Sequence, residues 1–369
     1  MKAMLLAAGL GTRFQPQTLI KAKPALPFLN LPMAYYAVWL LNQCGVREFV
    51  FNTYHLPDTV SQIFNFKGVS GLDNTSKIQT WLNQSLFHES PDGTKILGGA
   101  GGLKKAEIFF RDSDHLVLMN SDEIILPRVL SSFHDFFKSH RNKNNTTLKT
   151  PDETAPSFPR LATLAVMDHP EVGHQFGGIW CDDSNRVIEI GKKPSRSGLK
   201  GWHFIGLQIL DRKIFSLIPT NQESNIFYDV LNPILKDHNV YVHPVECDWF
   251  ETGNLNSYLQ ATQVCLNLID QGKSNYLSEM LKSLRPQDTI NKEEGHITYG
   301  DPSFQHAMKK WQVKDFAVGS SPIFNSNLSA VLNDQNKKPA PSKKFEIHQA
   351  VFAQQASLND ESYEKTLVL

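Results

Sequence analysis

The sequence predicts an α/β fold in which a mostly parallel sheet is covered by helices on both faces. Short apolar runs alternate with segments of helical periodicity from residue 2 to residue 137, as strand–helix–strand units do. The run at 116–119 is fully apolar, which is typical of a strand buried on both faces. The length of 369 residues suggests two domains at about 150 residues each.

The first half of the chain supplies predicted strands at residues 2–8, 47–54, 78–82 and 116–119. Helices are predicted at residues 33–44, 57–64, 102–110 and 129–137. The helix at 33–44 illustrates the reasoning, because it is apolar at helical spacing, starts after Pro32 and stops at Gly45. Residues 140–158 are polar and rich in Asn, Thr and Pro, so we expect an exposed, mobile loop there.

The second half resumes with predicted strands at residues 161–166, 178–180, 187–190 and 204–210. Helices are expected at residues 211–218, 226–236 and 255–268. We therefore predict a first domain over residues 1–272 and a separate C-terminal region over residues 273–369. Residues 273–315 carry no clear period, and residues 336–344 are typical of a loop or linker.

The end of the chain shows a weak six-residue repeat. Small residues recur at Ala350, Ala356 and Ser362, with Phe352 and Leu358 two positions after the first two of them. A six-residue repeat is typical of a parallel β-helix. Two interpretations stay open: a degenerate left-handed β-helix, or an irregular tail with an edge strand. Because the end of a β-helix offers an edge to another chain, we expect the tail from about residue 316 to serve homo-oligomer assembly and to be dispensable for chemistry.

The charge balance excludes a general affinity for polyanions. Lys plus Arg and Asp plus Glu are equal at 37 each, so we expect neither nucleic acid nor an acidic membrane as partner. Any anion-binding site must be local. No window approaches 18 uninterrupted apolar residues, so no membrane span is expected, and the apolar run at the start is too short for a signal peptide.

The four cysteines show no metal-binding or redox spacing. Cys44, Cys181, Cys247 and Cys265 each sit beside apolar neighbours, so we expect buried free thiols. Free thiols are typical of a reducing compartment, and a cytoplasmic location follows as an expectation.

A glycine-rich loop directly follows the first strand. Gly9 and Gly11 allow a tight turn whose N–H groups can bind phosphate oxygens. Arg13 adds a guanidinium group whose N–H donors fit the geometry of phosphate oxygens, and Lys23 adds the positive charge of an ammonium group. A simple turn after a strand is the alternative. The dinucleotide fingerprint does not fit, because Phe14 stands where a third glycine is needed.

The segment from Leu6 to Thr18 resembles the opening signature of the sugar-1-phosphate nucleotidyltransferase family, L-x-A-G-x-G-T-R-x-x-P-x-T. Lys23-Pro24 and Pro27 follow it, as the family pattern requires. The resemblance covers residues 1 to about 270 and implies a Rossmann-like fold of the nucleotide-diphospho-sugar transferase type. It implies that the triphosphate is held by the loop residues and by two cations, namely Ala8, Gly9, Gly11, Thr12, Arg13 and Lys23.

Two further segments match in the same order. Residues 97–103 resemble L-G-T-A-G-A-L, which implies that Gly98 and Gly101 lie against the base and the sugar. Physically, a glycine cluster lets a flat ring approach the backbone, although a loop before a helix would explain it too. Residues 120–122 follow the fourth strand and resemble N-G-D, so Asn120 is a candidate substrate ligand and Asp122 a candidate Mg²⁺ ligand. A helix N-cap is the alternative role for Asp122.

The remaining matches depart from the family at chemical positions. Residues 249–253 resemble W-x-D-x-G, with Glu251 in place of the aspartate that would be the second Mg²⁺ ligand. Asp248 is a nearby substitute in a different register. Residues 192–194 resemble E-K-P, so Lys193 is expected to meet the sugar phosphate, while Lys192 replaces the sugar-binding glutamate. The strand at 204–208 resembles the one beside the sugar pocket and makes Gly206 a candidate contact.

The resemblance implies an Mg²⁺-dependent reaction of a nucleoside triphosphate with a sugar 1-phosphate. Residues 30–33 and 52–56 most resemble those of mannose-1-phosphate guanylyltransferases and of their N-acetylmuramate-1-phosphate uridylyltransferase relatives. We expect GTP and mannose 1-phosphate as the substrates. A uridylyltransferase acting on another sugar 1-phosphate is the first alternative. A non-catalytic homologue that binds nucleotide sugars is the second, because Ser121, Lys192 and Glu251 all depart from the family pattern.

Overall fold

The protein is described by a computed structural model at residues 1–63, 86–88, 96–141, 160–237, 239–293, 295–309, 312–320, 323–324, 346–352, 357–358, 363 and 365–369. These residues form two compact units. The first contains the described parts of Met1–Leu10, Tyr36–Asn65 and Asn74–Trp249, and the second contains those of Gly11–Tyr35 and Phe250–Leu369. The predicted boundary at Gly272 stays a prediction.

The strands up to residue 250 are, in chain order, β1 (Lys2–Leu6), β2 (Pro27–Phe28), β3 (Leu31–Pro32), β4 (Glu48–Thr53), β5 (Leu86–His88), β6 (His115–Asn120), β7 (Ile124–Pro127), β8 (Arg160–Met167), β9 (Gly178–Cys181), β10 (Val187–Gly191), β11 (Lys200–Asp211), β12 (Asn239–Pro244) and β13 (Cys247–Phe250). The later strands are β14 (Thr289–Glu293), β15 (His296–Gly300), β16 (Gln312–Gly319), β17 (Ile323–Phe324), β18 (Glu346–Phe352), β19 (Ser357–Leu358) and β20 (Thr366–Val368). The principal helices are α1 (Ala34–Gln43), α2 (Pro57–Ile63), α3 (Gly98–Lys105), α4 (Leu130–Arg141), α5 (Leu255–Asp270), α6 (Asn275–Leu284) and α7 (Pro302–Met308).

The first unit is built on a large sheet with the order β10-β9-β11-β6-β1-β4-β5, to which β8 and β12 are added beside β11. The centre is parallel, because β1 pairs in parallel with both β4 and β6. Met4 lies opposite Val50 and Leu118, and all three are buried. Strand β11 runs antiparallel to β6. The predicted α/β fold with a mostly parallel sheet is confirmed.

Several predicted elements need correction. The helix expected at 102–110 begins earlier and is shorter, because α3 already starts at Gly98 and a 3₁₀ turn follows at Glu107–Phe110. Residues Arg212–Leu217 form a 3₁₀ helix, and the segment from Ile226 to Leu231 is a π-helix. The predicted strand at 78–82, most of the loop at 140–158 and the linker at 336–344 lie outside the described residues.

The second unit contains regular structure where no period was expected. Helix α6 starts after Ser274, whose side chain accepts a hydrogen bond from the backbone N–H of Leu277. Helix α7 starts after Asp301, which caps the backbone N–H of Phe304 in the same way. Strands β14 and β15 form an antiparallel pair between these helices. Residues 273–315, whose sequence shows no clear period, therefore contain both helices and strands.

The C-terminal region is a stack of parallel strands. Strands β15, β16, β18 and β20 pair in parallel in that order, and β17 pairs in parallel with β19. Side chains of α7 and of the stacked strands form one buried cluster, which includes Phe304, Ala317, Ala350 and Phe352. A parallel β-helix requires parallel strand pairs of this kind. That these strands form a partial β-helix stays a prediction. Its handedness stays a prediction.

A buried polar network joins the C-terminal strands to the turn between β2 and β3. Asn30 has a positive φ of 63°, and its Nδ2 donates to Oδ2 of Asp288 at 2.8 Å and to the carbonyl of Gly319 at 2.9 Å. Arg285 also binds Asp288, whose side chain is fully buried. The region beyond residue 272 therefore makes hydrogen bonds to a segment near the start of the chain. That the tail from about residue 316 is dispensable for chemistry and serves assembly stays a prediction.

Two further sequence expectations concern the whole chain. None of the four cysteines forms a disulfide bond, and Cys181, Cys247 and Cys265 are buried as expected. Cys44 is only half-buried, so the expectation of burial is wrong for this residue. Among the described residues, no helix is both long enough and apolar enough to cross a membrane.

Candidate active site

The start of the glycine-rich loop is held by the two strands that flank β1. Asn52, on β4, accepts a hydrogen bond through Oδ1 from the backbone N–H of Ala7 at 2.8 Å. The hydroxyl of Ser121, just after β6, donates to the carbonyl of Leu6. Because Ser121 is fully buried and has this partner, its departure from the family glycine has a structural explanation. The loop then enters solvent at Gly9, which is exposed.

The rest of the loop belongs to the second unit and forms a tight turn. Gly11 has a φ of 62°, and a Cβ at this position would lie 2.7 Å from Cγ2 of Thr18. The Thr18 hydroxyl donates to the Gly11 carbonyl at 2.8 Å. Phe14 is buried edge-on against Tyr258, with ring centroids 5.4 Å apart. This anchoring leaves Thr12 and Arg13 on the exposed side of the turn.

Arg13 and Glu251, both in the second unit, form an ion pair. The Arg13 Nη1 donates to Oε1 of Glu251 at 3.1 Å, and the two side chains are 73% and 34% exposed. A Cβ at Gly253 would lie 2.5 Å from the same oxygen, so the glycine of the W-x-E-x-G segment makes room for the pair. An ion pair this exposed contributes at most about 1 kcal/mol. A phosphate can therefore displace Glu251 from Arg13 at low cost.

Two lysines follow this turn. Lys23 is half-buried and opens a 3₁₀ turn with Pro24 and Ala25. Lys21, two residues earlier, is also half-buried. Burial lowers its pKa from the usual range.

The end of β6 carries two adjacent carboxylates. Asp122 is followed by strand β7 and not by a helix, so the helix N-cap interpretation is wrong. The next residue, Glu123, was missed by the sequence analysis. Its Oε1 accepts from Nδ2 of Asn120 at 2.8 Å and its Oε2 accepts from Nε1 of Trp249 at 3.1 Å.

Gly206 lies against this carboxylate. It has a φ of 80°, within an irregularity of β11 that interrupts the pairing with β8 between Phe204 and Gln208. A Cβ at Gly206 would lie 2.4 Å from Oε2 of Glu123. The glycine is thus required by its backbone conformation and by the close approach of Glu123.

The glycines of residues 97–103 are explained by a close approach of backbone. A Cβ at Gly98 would lie 2.7 Å from the carbonyl oxygen of Ser224, and one at Gly101 would lie 2.5 Å from that of Gln222. The Ser224 N–H donates to the carbonyl of Leu97 at 2.9 Å. These contacts account for both glycines without a ligand, and their contact with a base or sugar stays a prediction.

The turn that carries Lys193 is held from both ends. The indole Nε1 of Trp180 donates to the carbonyl of Gly191 at 3.0 Å. The carboxylate of Glu189 accepts a hydrogen bond from the backbone N–H of Ser195. Lys193 itself is exposed, as is its neighbour Lys192. The turn therefore presents lysine side chains to solvent from a fixed backbone.

The candidate Mg²⁺ ligands supply donors of the right kind. Asp122 and Glu251 both carry carboxylate oxygens, which are hard ligands that Mg²⁺ accepts together with water and phosphate. The part of the chain that the structure describes holds no cluster of three or more metal-binding side chains, so a protein-only cage is not present there. Asp248, the substitute ligand, binds Nε of Arg128 at 2.8 Å instead.

Known proteins of similar sequence are nucleotidyltransferases. A UTP–glucose-1-phosphate uridylyltransferase of Synechocystis sp. is 28% identical over 72% of this chain and 64% of its own length. A mannose-1-phosphate guanyltransferase of Saccharomyces cerevisiae is 26% identical over 72% of this chain and 65% of its own length. The chain thus spans just under two thirds of the length of these curated relatives.

Solved structures agree on the fold. A UDP-glucose pyrophosphorylase complexed with UDP-glucose matches 71% of this chain and 97% of its own, with a TM-score of 0.53 and 17% identity. The sequence profile of the nucleotidyl transferase family matches residues 2–267, which contain the glycine-rich loop, both candidate metal ligands and the Lys193 turn. The chain therefore belongs to the nucleotidyl transferase family.

Proposed function

We propose that this chain transfers a nucleotidyl group from a nucleoside triphosphate to a sugar 1-phosphate and releases pyrophosphate. The observation that carries the proposal is the contact between Arg13 and Glu251, which lie 238 residues apart in the sequence. It brings Arg13 and Glu251 together within the second unit, and the glycines at positions 11 and 253 leave room for the turn and for the pair.

The reaction is an in-line displacement at phosphorus. A phosphate oxygen of the sugar 1-phosphate forms a bond to the α-phosphorus, and the bond from that phosphorus to the bridging oxygen of pyrophosphate breaks. The attacking oxygen is already ionised at neutral pH, so the enzyme needs no general base. Catalysis then rests on positioning the reactants and neutralising charge.

Each candidate residue has a role in that scheme. Arg13 and Lys23 stabilise the leaving pyrophosphate, and Lys193 orients the attacking phosphate. Asp122 and Glu251 are the residues that would hold Mg²⁺, which supplies neutralisation of phosphate charge. When the triphosphate binds, Arg13 would exchange Glu251 for phosphate oxygens, and the Glu251 carboxylate would then be free of its ion pair.

GTP and mannose 1-phosphate are the substrates that we propose first. The similarity to mannose-1-phosphate guanyltransferases of several fungi supports them. UTP and glucose 1-phosphate are the second candidate pair, because a UTP–glucose-1-phosphate uridylyltransferase is 28% identical. A pocket whose hydrogen-bonding groups match one base discriminates strongly in kcat/KM against a base with a different pattern of donors and acceptors. One base should therefore be strongly preferred.

Pyrophosphate release tests the proposal. The wild-type chain is incubated with each of GTP, UTP, ATP and dTTP against mannose 1-phosphate and glucose 1-phosphate, with and without MgCl₂. We expect release with one pair and only with MgCl₂. Release with UTP alone would contradict the proposed guanine base and would leave the proposed type of reaction unchanged. Absence of release with every pair, from folded protein, would refute the proposal and favour a regulatory homologue.

A further inference from the structure

We propose that Glu123 is a specificity-determining residue that accepts hydrogen bonds from hydroxyl groups of the sugar 1-phosphate. This inference deepens the proposed function and rests on it. Glu123 directly follows Asp122, between the end of β6 and the start of β7. Ligands of open α/β sheets bind beyond the carboxyl ends of the strands, which is where β6 delivers this side chain.

The carboxylate is oriented by two neutral donors. Asn120 binds one oxygen at 2.8 Å and the indole of Trp249 binds the other at 3.1 Å. An ionised carboxylate has about four lone-pair positions, so each oxygen can accept from more than one donor at a time. These two hydrogen bonds orient the carboxylate and leave it acceptor positions for further donors.

The backbone is shaped around this group. Strand β11 has its irregularity at Gly206, where any Cβ would meet Oε2 of Glu123 at 2.4 Å. A glycine in the left-handed region, at a φ of 80°, is a costly feature in the middle of a strand. It is explained by the need to admit a carboxylate at this position.

An aromatic cluster adjoins the same carboxylate. The ring of Trp249 lies 4.3 Å from His203, 5.9 Å from Phe176 and 6.1 Å from His169, measured between centroids. His203 is 8% exposed, and its Nε2 has no hydrogen-bond partner among the residues that the structure describes. The indole that orients Glu123 is therefore itself part of an aromatic cluster.

This combination matches the chemistry of a sugar. A sugar ring offers apolar C–H faces to aromatic side chains and hydroxyl edges to acceptors, and binding pockets typically pair apolar walls with a few placed polar groups. The family resemblance puts the sugar-binding carboxylate at position 192, where this chain has an exposed lysine. Glu123 would supply the missing acceptor from the end of a different strand.

The test pairs a substitution with the removal of single hydroxyl groups from the substrate. The kcat/KM of the wild type and of Glu123→Ala is measured with mannose 1-phosphate, with glucose 1-phosphate and with their monodeoxy analogues. Glu246→Ala, which removes an exposed glutamate of the same unit, is the matched control. Glu123→Gln is the second variant, to be used if the alanine variant does not fold.

We expect one deoxy analogue to lose at least about tenfold in kcat/KM with the wild type, the scale of a hydrogen bond to a charged group. With Glu123→Ala that penalty should shrink to about twofold or less, while the KM for the triphosphate is unchanged. Glu246→Ala should keep the full penalty. A purely structural role for Glu123 would leave every penalty as large in the variant, and this result would overturn the inference alone. A wild type inactive with all sugar phosphates would refute the proposed function and this inference with it.

Discussion

Replacing Arg13 by alanine separates a catalytic role from a structural one. The Arg13 side chain is 73% exposed and the substitution removes its ion pair with Glu251, so the free energy of unfolding should fall by no more than about 1 kcal/mol. Turnover should fall at least about a hundredfold, or about 2.7 kcal/mol in activation free energy, the scale for removing one donor to transition-state charge. The fold should persist while the catalytic activity disappears.

The assay measures pyrophosphate release at saturating substrates, together with the thermal unfolding midpoint of the same preparation. Arg128→Ala is the matched control, because Arg128 is also exposed, at 64%, and forms a comparable pair with Asp248. We expect the control to keep its turnover. Near-normal turnover of Arg13→Ala would refute the assignment of the loop, and an equal loss in Arg128→Ala would show that the effect is not specific to the loop.

Three other perturbations follow from the structure. Asp122→Asn and Glu251→Gln should each abolish Mg²⁺-dependent turnover with little change in the unfolding midpoint, and a variant that unfolds more easily yet turns over normally would contradict the metal role. Asn30→Ala should lower the free energy of unfolding by about 1–3 kcal/mol in denaturant titrations, because the buried Asp288 carboxylate and the Gly319 carbonyl lose a donor; no change would show that the C-terminal strands do not support this turn. Burial, with smaller contributions from His115 and Arg160, lowers the pKa of His140 to about 3. Between about pH 6.5 and pH 3, the His140 imidazole is therefore protonated in the unfolded chain and neutral in the folded chain. Stability should therefore fall as the pH drops from 6.5 toward 3, by up to about 1.4 kcal/mol per pH unit, and His140→Gln should flatten that slope in unfolding experiments; an unchanged slope would contradict the assignment.

The first unit could be predicted from its apolar periodicity, because strands such as β1 and β6 are buried on both faces. The missed structure lies in the second unit, where the signals were local. Leu277, Met280, Leu281 and Leu284 stand at helical spacing after the N-cap Ser274, and all four are buried in α6. This helical spacing of apolar residues extends over only the ten residues of α6, and in a wider window the surrounding polar residues hide it.

The candidate site likewise contains residues that could be predicted from the sequence and residues that could not. Motif residues such as Arg13 and Glu251 could be predicted from the resemblance, and the structure brings these two together. The partnership of Glu123 with Trp249 could not, because it joins residues 126 positions apart through a sheet whose register the sequence does not reveal. Conversely, Gly98 and Gly101 fit the family pattern, yet contacts within the fold explain both of them.

The most direct test of the central claim is to identify and count the products. Wild-type protein is incubated with GTP, mannose 1-phosphate and MgCl₂, and both pyrophosphate and nucleotide sugar are quantified, the latter by its mass. We predict equal amounts of the two, formed only when both substrates are present. Pyrophosphate or phosphate released without the sugar phosphate would contradict the account, and so would a failure to form any nucleotide sugar with GTP or UTP.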